Sequence, residues 1–313
     1  MELARLQSHI EEIIALSDSE AVVFFRAENE VWKVNLNDDT AVEIKRAYIK
    51  KIKHLIVDAE DLELRNISEA DSRKNAIYVY DFEEVPNEIQ ELYDLRRDHG
   101  KSEFKLKLDE IKSIATVLGN SQKNLVLYKW YYPVNFVSRN RISFFMGEKN
   151  RINTLNQDVL NFSSGFDVLV VEDDIFIFNL DAFEKKLDFT KILVKEAEIV
   201  VNKILHLDIL EKNNSLSIDF HRYAKKFAKL KSSKILNGEI SGDRILSFVK
   251  QHERLKHCLD ENGRIKTSTK KAMKNLIELI DDQYLYSELT GISYLALAKN
   301  NISRKFDPQI YLH

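Results

Sequence analysis

Apolar residues recur along the first part of the chain in two rhythms. Over residues 4–16 (ARLQSHIEEIIAL) they fall three and four apart, the spacing of one helix face. Over 21–36 (AVVFFRAENEVWKVNL) two apolar runs flank Ala27-Glu28-Asn29-Glu30, which predicts a β-hairpin. Residues 38–55 return to helical spacing behind an Asp/Thr cap, from Asp38 to Thr40. AIYVYDF (76–82) reads as a strand, and Pro86 opens an amphipathic segment that runs to Leu95.

The middle is strand-rich. NLVLYKWYY (124–132) and ISFFM (142–146) have strand composition. In FDVLVVEDDIFIFNLDAFEKKL (166–187) the trio Glu172-Asp173-Asp174 sits where a tight turn joins two strands. Asp181 fits a helix N-cap with Glu184 three residues on. A long helix follows, from about Phe189 to Ile209, and EKNNS (211–215) is the best domain boundary. Beyond it lie helical spacing over 217–230 and 243–259, a short strand at Arg264-Ile265-Lys266, and a helix from about Thr269 to Asp282. Two alternating runs, 284–289 and 292–299, then close the pattern as a hairpin. The expected fold is α+β: an antiparallel-sheet domain with flanking helices over 1–210, then a mainly helical domain over 211–313 ending in a β-hairpin. That second domain has the element order of a winged helix.

Composition narrows the class. With 313 residues and 44% hydrophobic content, the chain can bury a sizeable core. No apolar run approaches the ~20 residues that span a bilayer, and the first residues read as an acidic amphipathic helix rather than an export signal. Cys258 is the single cysteine, so no internal disulfide exists. A cytoplasmic protein is expected, reaching a membrane only through a partner.

Charge divides the chain. Residues 1–200 hold 27 Lys+Arg against 37 Asp+Glu; residues 201–313 hold 20 against 13. Between Arg222 and Lys274 there are 15 basic and 5 acidic residues. Such a split suits an acidic partner on one half and another task for the other. The helix after Thr269 sharpens this. Helix N-termini favour acidic residues, yet here Lys270, Lys271 and Lys274 lead, opposite an apolar arc of Ala272, Met273, Leu276, Ile277, Leu279 and Ile280. Either the lysines form a solvated face, or the missing negative charge arrives from outside as phosphate on a capped helix start. A second group, Arg222, Lys225, Lys226 and Lys229, contains like-charge pairs four apart, each costing about 0.2–0.5 kcal/mol. A third, Lys45, Arg46, Lys50, Lys51 and Lys53, lies in the acidic half, where Asp and Glu are at hand to pair with it.

Enzyme signatures fail. QHERLKH (251–257) resembles a zinc helix, but its second histidine falls five residues on, roughly 140° around from the first. No phosphate loop and no nucleophile elbow occurs. No cofactor and no small-molecule substrate is expected. Three functions remain: a DNA binder acting by occupancy, an interaction module for a membrane protein and anionic lipid, and a metal-dependent nuclease with Asp167, Glu172, Asp173 and Asp174 as first suspects.

Two stretches carry a family resemblance: GFDVLVVEDDIFIFNLDAFEKKLDF (165–189), followed by the long helix, and LIDDQYLYSELTGISYLALAK (279–299). Over about residues 120–300 the chain resembles the KwaB family of the bacterial Kiwa anti-phage defence system. The resemblance implies a soluble homodimer that binds DNA without marked sequence preference. It also implies a small transmembrane partner, KwaA, at the inner membrane, and restraint of phage DNA replication or late expression.

Overall fold

The computed structural model describes residues 2–27, 30–70, 76–96, 110–131, 136–137, 144–146, 152–154, 159–211, 220–252, 254–287 and 292–296. The chain divides into two compact units, Met1–Leu193 and Val194–His313. It is a mixed α+β protein.

The first unit contains α1 (Leu3–Ala15), β1 (Glu20–Ala27), β2 (Glu30–Lys33), α2 (Asp38–Ile52), β3 (Glu63–Asn66), β4 (Ala76–Val79), α3 (Asn87–Leu95), β5 (Ser113–Gly119) and β6 (Asn124–Trp130). It continues with β7 (Phe136–Val137), β8 (Phe144–Met146), β9 (Ile152–Thr154), β10 (Val159–Leu160), β11 (Val168–Val171), β12 (Asp174–Ile177) and α4 (Leu180–Lys186). Eight strands form one sheet in the order β2-β1-β5-β6-β11-β12-β4-β3. Every neighbour in it is antiparallel except the β3–β4 pair. The remaining strands pair as β7–β10 and β8–β9.

Helices lie on both faces of the sheet. Leu6, Ile10 and Ile13 of α1 and Tyr48 and Ile52 of α2 pack with Ala21, Leu118, Leu125, Leu127, Leu169 and Phe176. Side chains alternate across a strand, so Tyr128 and Trp130 face the other way. There Glu88 of α3 accepts from the Tyr128 hydroxyl and from Trp130 Nε1, and Phe183 of α4 packs edge-on against Trp130. The expected hairpins stand at β1–β2 and β11–β12. In the second, Glu172 takes the left-handed backbone (φ 51°) that a two-residue turn demands.

Two caps differ from expectation. Asn37, not the Asp38–Thr40 group, caps α2 by accepting from Thr40 N at 2.8 Å. Asn179, not Asp181, caps α4 by accepting from Ala182 N. In each case the asparagine occupies the last non-helical position, where a side-chain oxygen meets the third amide on; the aspartates fall inside the first turn and act on the helix dipole instead.

α5 (Phe189–His206) runs from the first unit into the second. The second unit then builds α6 (Phe220–Ala228), α7 (Gly242–Gln251), α8 (Lys270–Ile280) and a hairpin of β13 (Tyr284–Ser287) with β14 (Ile292–Leu295). Ile265 forms bridges to Leu210 and Leu259, the expected short strand. Of the boundary segment 211–215, all but Glu211 lies outside the described residues.

Candidate nucleic-acid interface

The start of α8 is a launched and capped helix end. Ile265 is pinned between Leu210 and Leu259, and Thr267 N donates to Glu211 Oε1 at 2.9 Å. Thr269 has an extended backbone, and its Oγ1 accepts from Ala272 N at 3.1 Å. The predicted apolar arc of α8 is buried throughout, and Lys270, Lys271 and Lys274 are exposed. The first turn holds no acidic residue. Exposed lysines thus add to the positive end of the helix dipole with no acidic residue in the first turn to offset them, which is the field a phosphate completes. Lys274 differs from the other two: its Nζ stands 3.5 Å from Glu278 Oε1.

On α6, Ala224 and Phe227 are buried and Arg222, Lys225 and Lys226 are exposed. Lys229 opens a tight turn (Lys229–Ser232) and is half-buried. Beyond that turn Ser233 Oγ donates to Ile280 O. This tie lies at the end of α8 remote from Lys270, about 15 Å away along its axis, so it does not gather the two basic groups at one point.

The third group behaves differently from expectation. Lys45 donates to Ser19 O. Arg46, Lys50 and Lys53 are exposed, and among the described residues no carboxylate pairs with them. Of the acidic residues near them in sequence, Asp38 and Asp39 sit in the first turn of α2, Asp58 and Glu60 follow its last, and the exposed Glu43, three residues before Arg46, makes no ion pair with it.

Of the carboxylates suggested for a nuclease, Asp167 and Glu172 are each held by other side chains and lie far apart, while Asp173 and Asp174 follow Glu172 at the β11–β12 turn. Asp167 is buried, accepting from Trp130 N at 3.0 Å and from Asn179 Nδ2 at 2.8 Å. Glu172 pairs with Arg5 at 3.1 Å. The two flank opposite ends of β11, about 16 Å apart at strand rise, too far to share an ion. Among the described residues no group of three or more His, Cys, Asp and Glu is placed to hold a metal. His252 ends α7 and His257 belongs to a separate tight turn, so the near-zinc motif is not one helix. Cys258 is buried, with Asn275 Nδ2 3.0 Å from its sulfur.

Sequence reasoning did not single out Glu278 and Tyr284. Glu278 is buried within the apolar face of α8, and its Oε2 accepts from Tyr284 Oη at 3.1 Å. The signal available was the spacing of Lys274 and Glu278, four apart on a helix.

The family model described as Kiwa protein KwaB-like matches residues 108–290, more than half of the chain. The chain belongs to this family. It is also 26% identical over 313 residues to Kiwa protein KwaB of Escherichia coli O55:H7 (strain RM12579 / EPEC), covering 96% of this chain and 99% of that one. The likeness to that KwaB therefore takes in most of the first 107 residues, which the family model leaves out. No solved structure matches the chain. Among the described residues of this family member, no helix is long and apolar enough to cross a membrane.

Proposed function

We propose that the protein is a component of the Kiwa anti-phage defence system that binds DNA through its phosphates, without marked sequence preference, and acts by occupancy rather than by chemistry. The observation that carries this reading is the start of α8: a Thr269-capped first turn, free of acidic residues, with Lys270 and Lys271 exposed beside it. It lies in a stretch with 15 basic and 5 acidic residues. Arg222, Lys225, Lys226 and Lys229 add a second group of phosphate contacts. The elements α6, α7, the Ile265 bridge, α8 and β13–β14 follow the order of a winged helix, in which α8 takes the place of the helix whose start enters the major groove. Membership of the family supports the rest of the reading: a homodimer that is cytoplasmic and meets the inner membrane through a small KwaA-like transmembrane partner, restraining phage DNA replication or late expression.

The test compares wild type with a Lys270→Glu/Lys271→Glu/Lys274→Glu variant in equilibrium binding to labelled duplex DNA across a salt series. Loss of affinity with a salt slope shallower by about two to three phosphate contacts is expected. Equal binding by the two proteins removes α8 from the interface. Binding by wild type to vesicles containing anionic lipid, with no binding to DNA, turns the reading toward an interaction module at the membrane surface.

A further inference from the structure

Lys274, Glu278 and Tyr284 form a chain of charge-assisted contacts from the start of α8 to the terminal hairpin. Lys274 Nζ is 3.5 Å from Glu278 Oε1, and Tyr284 Oη donates to Glu278 Oε2 at 3.1 Å. The two ends differ. The Lys274 side chain is 64% exposed and the Glu278 side chain 10%. A lysine placed before a glutamate at this spacing is the weaker order for a helix pair, so Lys274 is easily drawn away by a stronger anion. Glu278 has no such freedom. Its carboxylate is nearly out of water and depends on its two donors. Burial and the hydrogen bond to Glu278 hold the Tyr284 hydroxyl well above its ordinary pKa, so it remains a donor at neutral pH. Gln283 N donates to Glu278 O, and Ala296 N donates to Gln283 O, so the same turn of α8 also anchors the base of the hairpin.

We propose that Glu278 is an internal counter-ion that competes with phosphate for Lys274, and that Tyr284 sets how firmly Glu278 holds it. This rests on the DNA-binding reading of α8. Its consequence is a pair of opposite signs at one carboxylate. Removing the charge of Glu278 releases Lys274 to the phosphate chain. Removing the Tyr284 hydroxyl leaves Glu278 more dependent on Lys274, which is then withheld. By linkage, phosphate that takes Lys274 from Glu278 tightens the demand on Tyr284, so DNA at α8 and the seating of the hairpin reinforce each other.

The experiment is a double-mutant cycle on the full chain, read as affinity for labelled duplex DNA over a salt series. Glu278→Gln is expected to bind roughly fourfold more tightly at about 0.2 M salt, with a slope steeper by about 0.9, the signature of one added phosphate contact. Tyr284→Phe is expected to bind more weakly than wild type. The double variant is expected to match Glu278→Gln alone. Lys274→Gln supplies the second arm: in that background both substitutions should leave DNA affinity unchanged, and this arm stands on Tyr284→Phe alone if Glu278→Gln does not fold. Shifts of the same sign, an undiminished Tyr284→Phe effect in the Glu278→Gln background, or any effect that survives Lys274→Gln overturns the counter-ion role while leaving DNA binding intact. Failure of wild type to bind DNA at low salt instead removes the reading on which the proposal rests, and the proposal with it.

Discussion

Lys231 Nζ stands 3.2 Å from Glu196 Oε2, and the Glu196 side chain is only 1% exposed. A carboxylate so placed costs a great deal to bury unless a cation accompanies it. Lys231→Met is therefore expected to destabilise the protein by on the order of 3 kcal/mol, because it removes this ammonium from beside a buried carboxylate. Replacing both residues with apolar side chains should restore most of that loss. Urea denaturation of the two single variants and the double checks both statements. Equal losses in the Lys231→Met and double variants would contradict them.

Tyr93 gives the protein an alkaline limit. Its hydroxyl donates to Asp173 O at 3.0 Å; burial, then the charges of Asp173 and Asp174, push its pKa from 10.0 up to about 12. The unfolded chain ionises this phenol near pH 10, and the folded chain keeps the proton longer. The stabilisation is thus fully present below pH 10 and is lost as pH rises from about 10 to about 12. Burial of Tyr48 and of Tyr131 acts in the same direction. Tyr93→Phe should flatten the fall in urea midpoint across that window, and tyrosinate absorbance should show the missing titration.

Two glycines of the second unit separate crowding from backbone conformation. A Cβ on Gly242, at the first position of α7, would stand 2.0 Å from Leu207 O. Gly242→Ala must push backbone aside, at about 1–3 kcal/mol. Gly238 has open space around it but a φ of +83°. Gly238→Ala is expected to cost about 1–2 kcal/mol, and Gly238→Asn less, since asparagine tolerates the left-handed region. Thermal unfolding of the three variants orders them.

Thr269 links stability to the interface. Its hydroxyl satisfies one amide at the start of α8. Thr269→Ala should cost about 1 kcal/mol in unfolding free energy, and Thr269→Ser almost nothing. If the capped end is also the phosphate site, the alanine variant loses DNA affinity while still folded at room temperature, and the serine variant does not.

Much of this was legible in the sequence where each signal is local. The apolar spacing of α8 places Ala272 to Ile280 inward and its three lysines outward because a helix face depends only on the chain's own period. FDVLVV and DIFIF straddle a turn because Asp and Glu are at the tip. β5 escaped because the alternation that marks a half-exposed strand is missing: all seven residues from Ser113 to Gly119 are buried. Its polar members are satisfied by distant phenols, Ser113 by Tyr128 at 2.6 Å and Thr116 by Tyr48 at 3.3 Å. Glu278 and Glu196 escaped for the same reason. Tyr284 and Lys231, which meet them, belong to other elements, and apart from the spacing of Lys274 and Glu278 the residues around each carboxylate do not announce its burial. The α2 lysines were expected to pair with acidic neighbours. Proximity in sequence is not pairing: Asp38 and Asp39 fall in the first turn, and Glu43 and Arg46, three apart on the same helix, both remain exposed to water, where an ion pair gains little.

The most direct measurement of the central claim is equilibrium binding of the wild-type protein to two duplexes of unrelated sequence across a salt series. Binding through phosphates predicts equal affinities within about threefold, and a linear fall of log affinity with log salt whose slope corresponds to several phosphate contacts. Binding confined to one sequence, binding insensitive to salt, or no binding at low salt would contradict it.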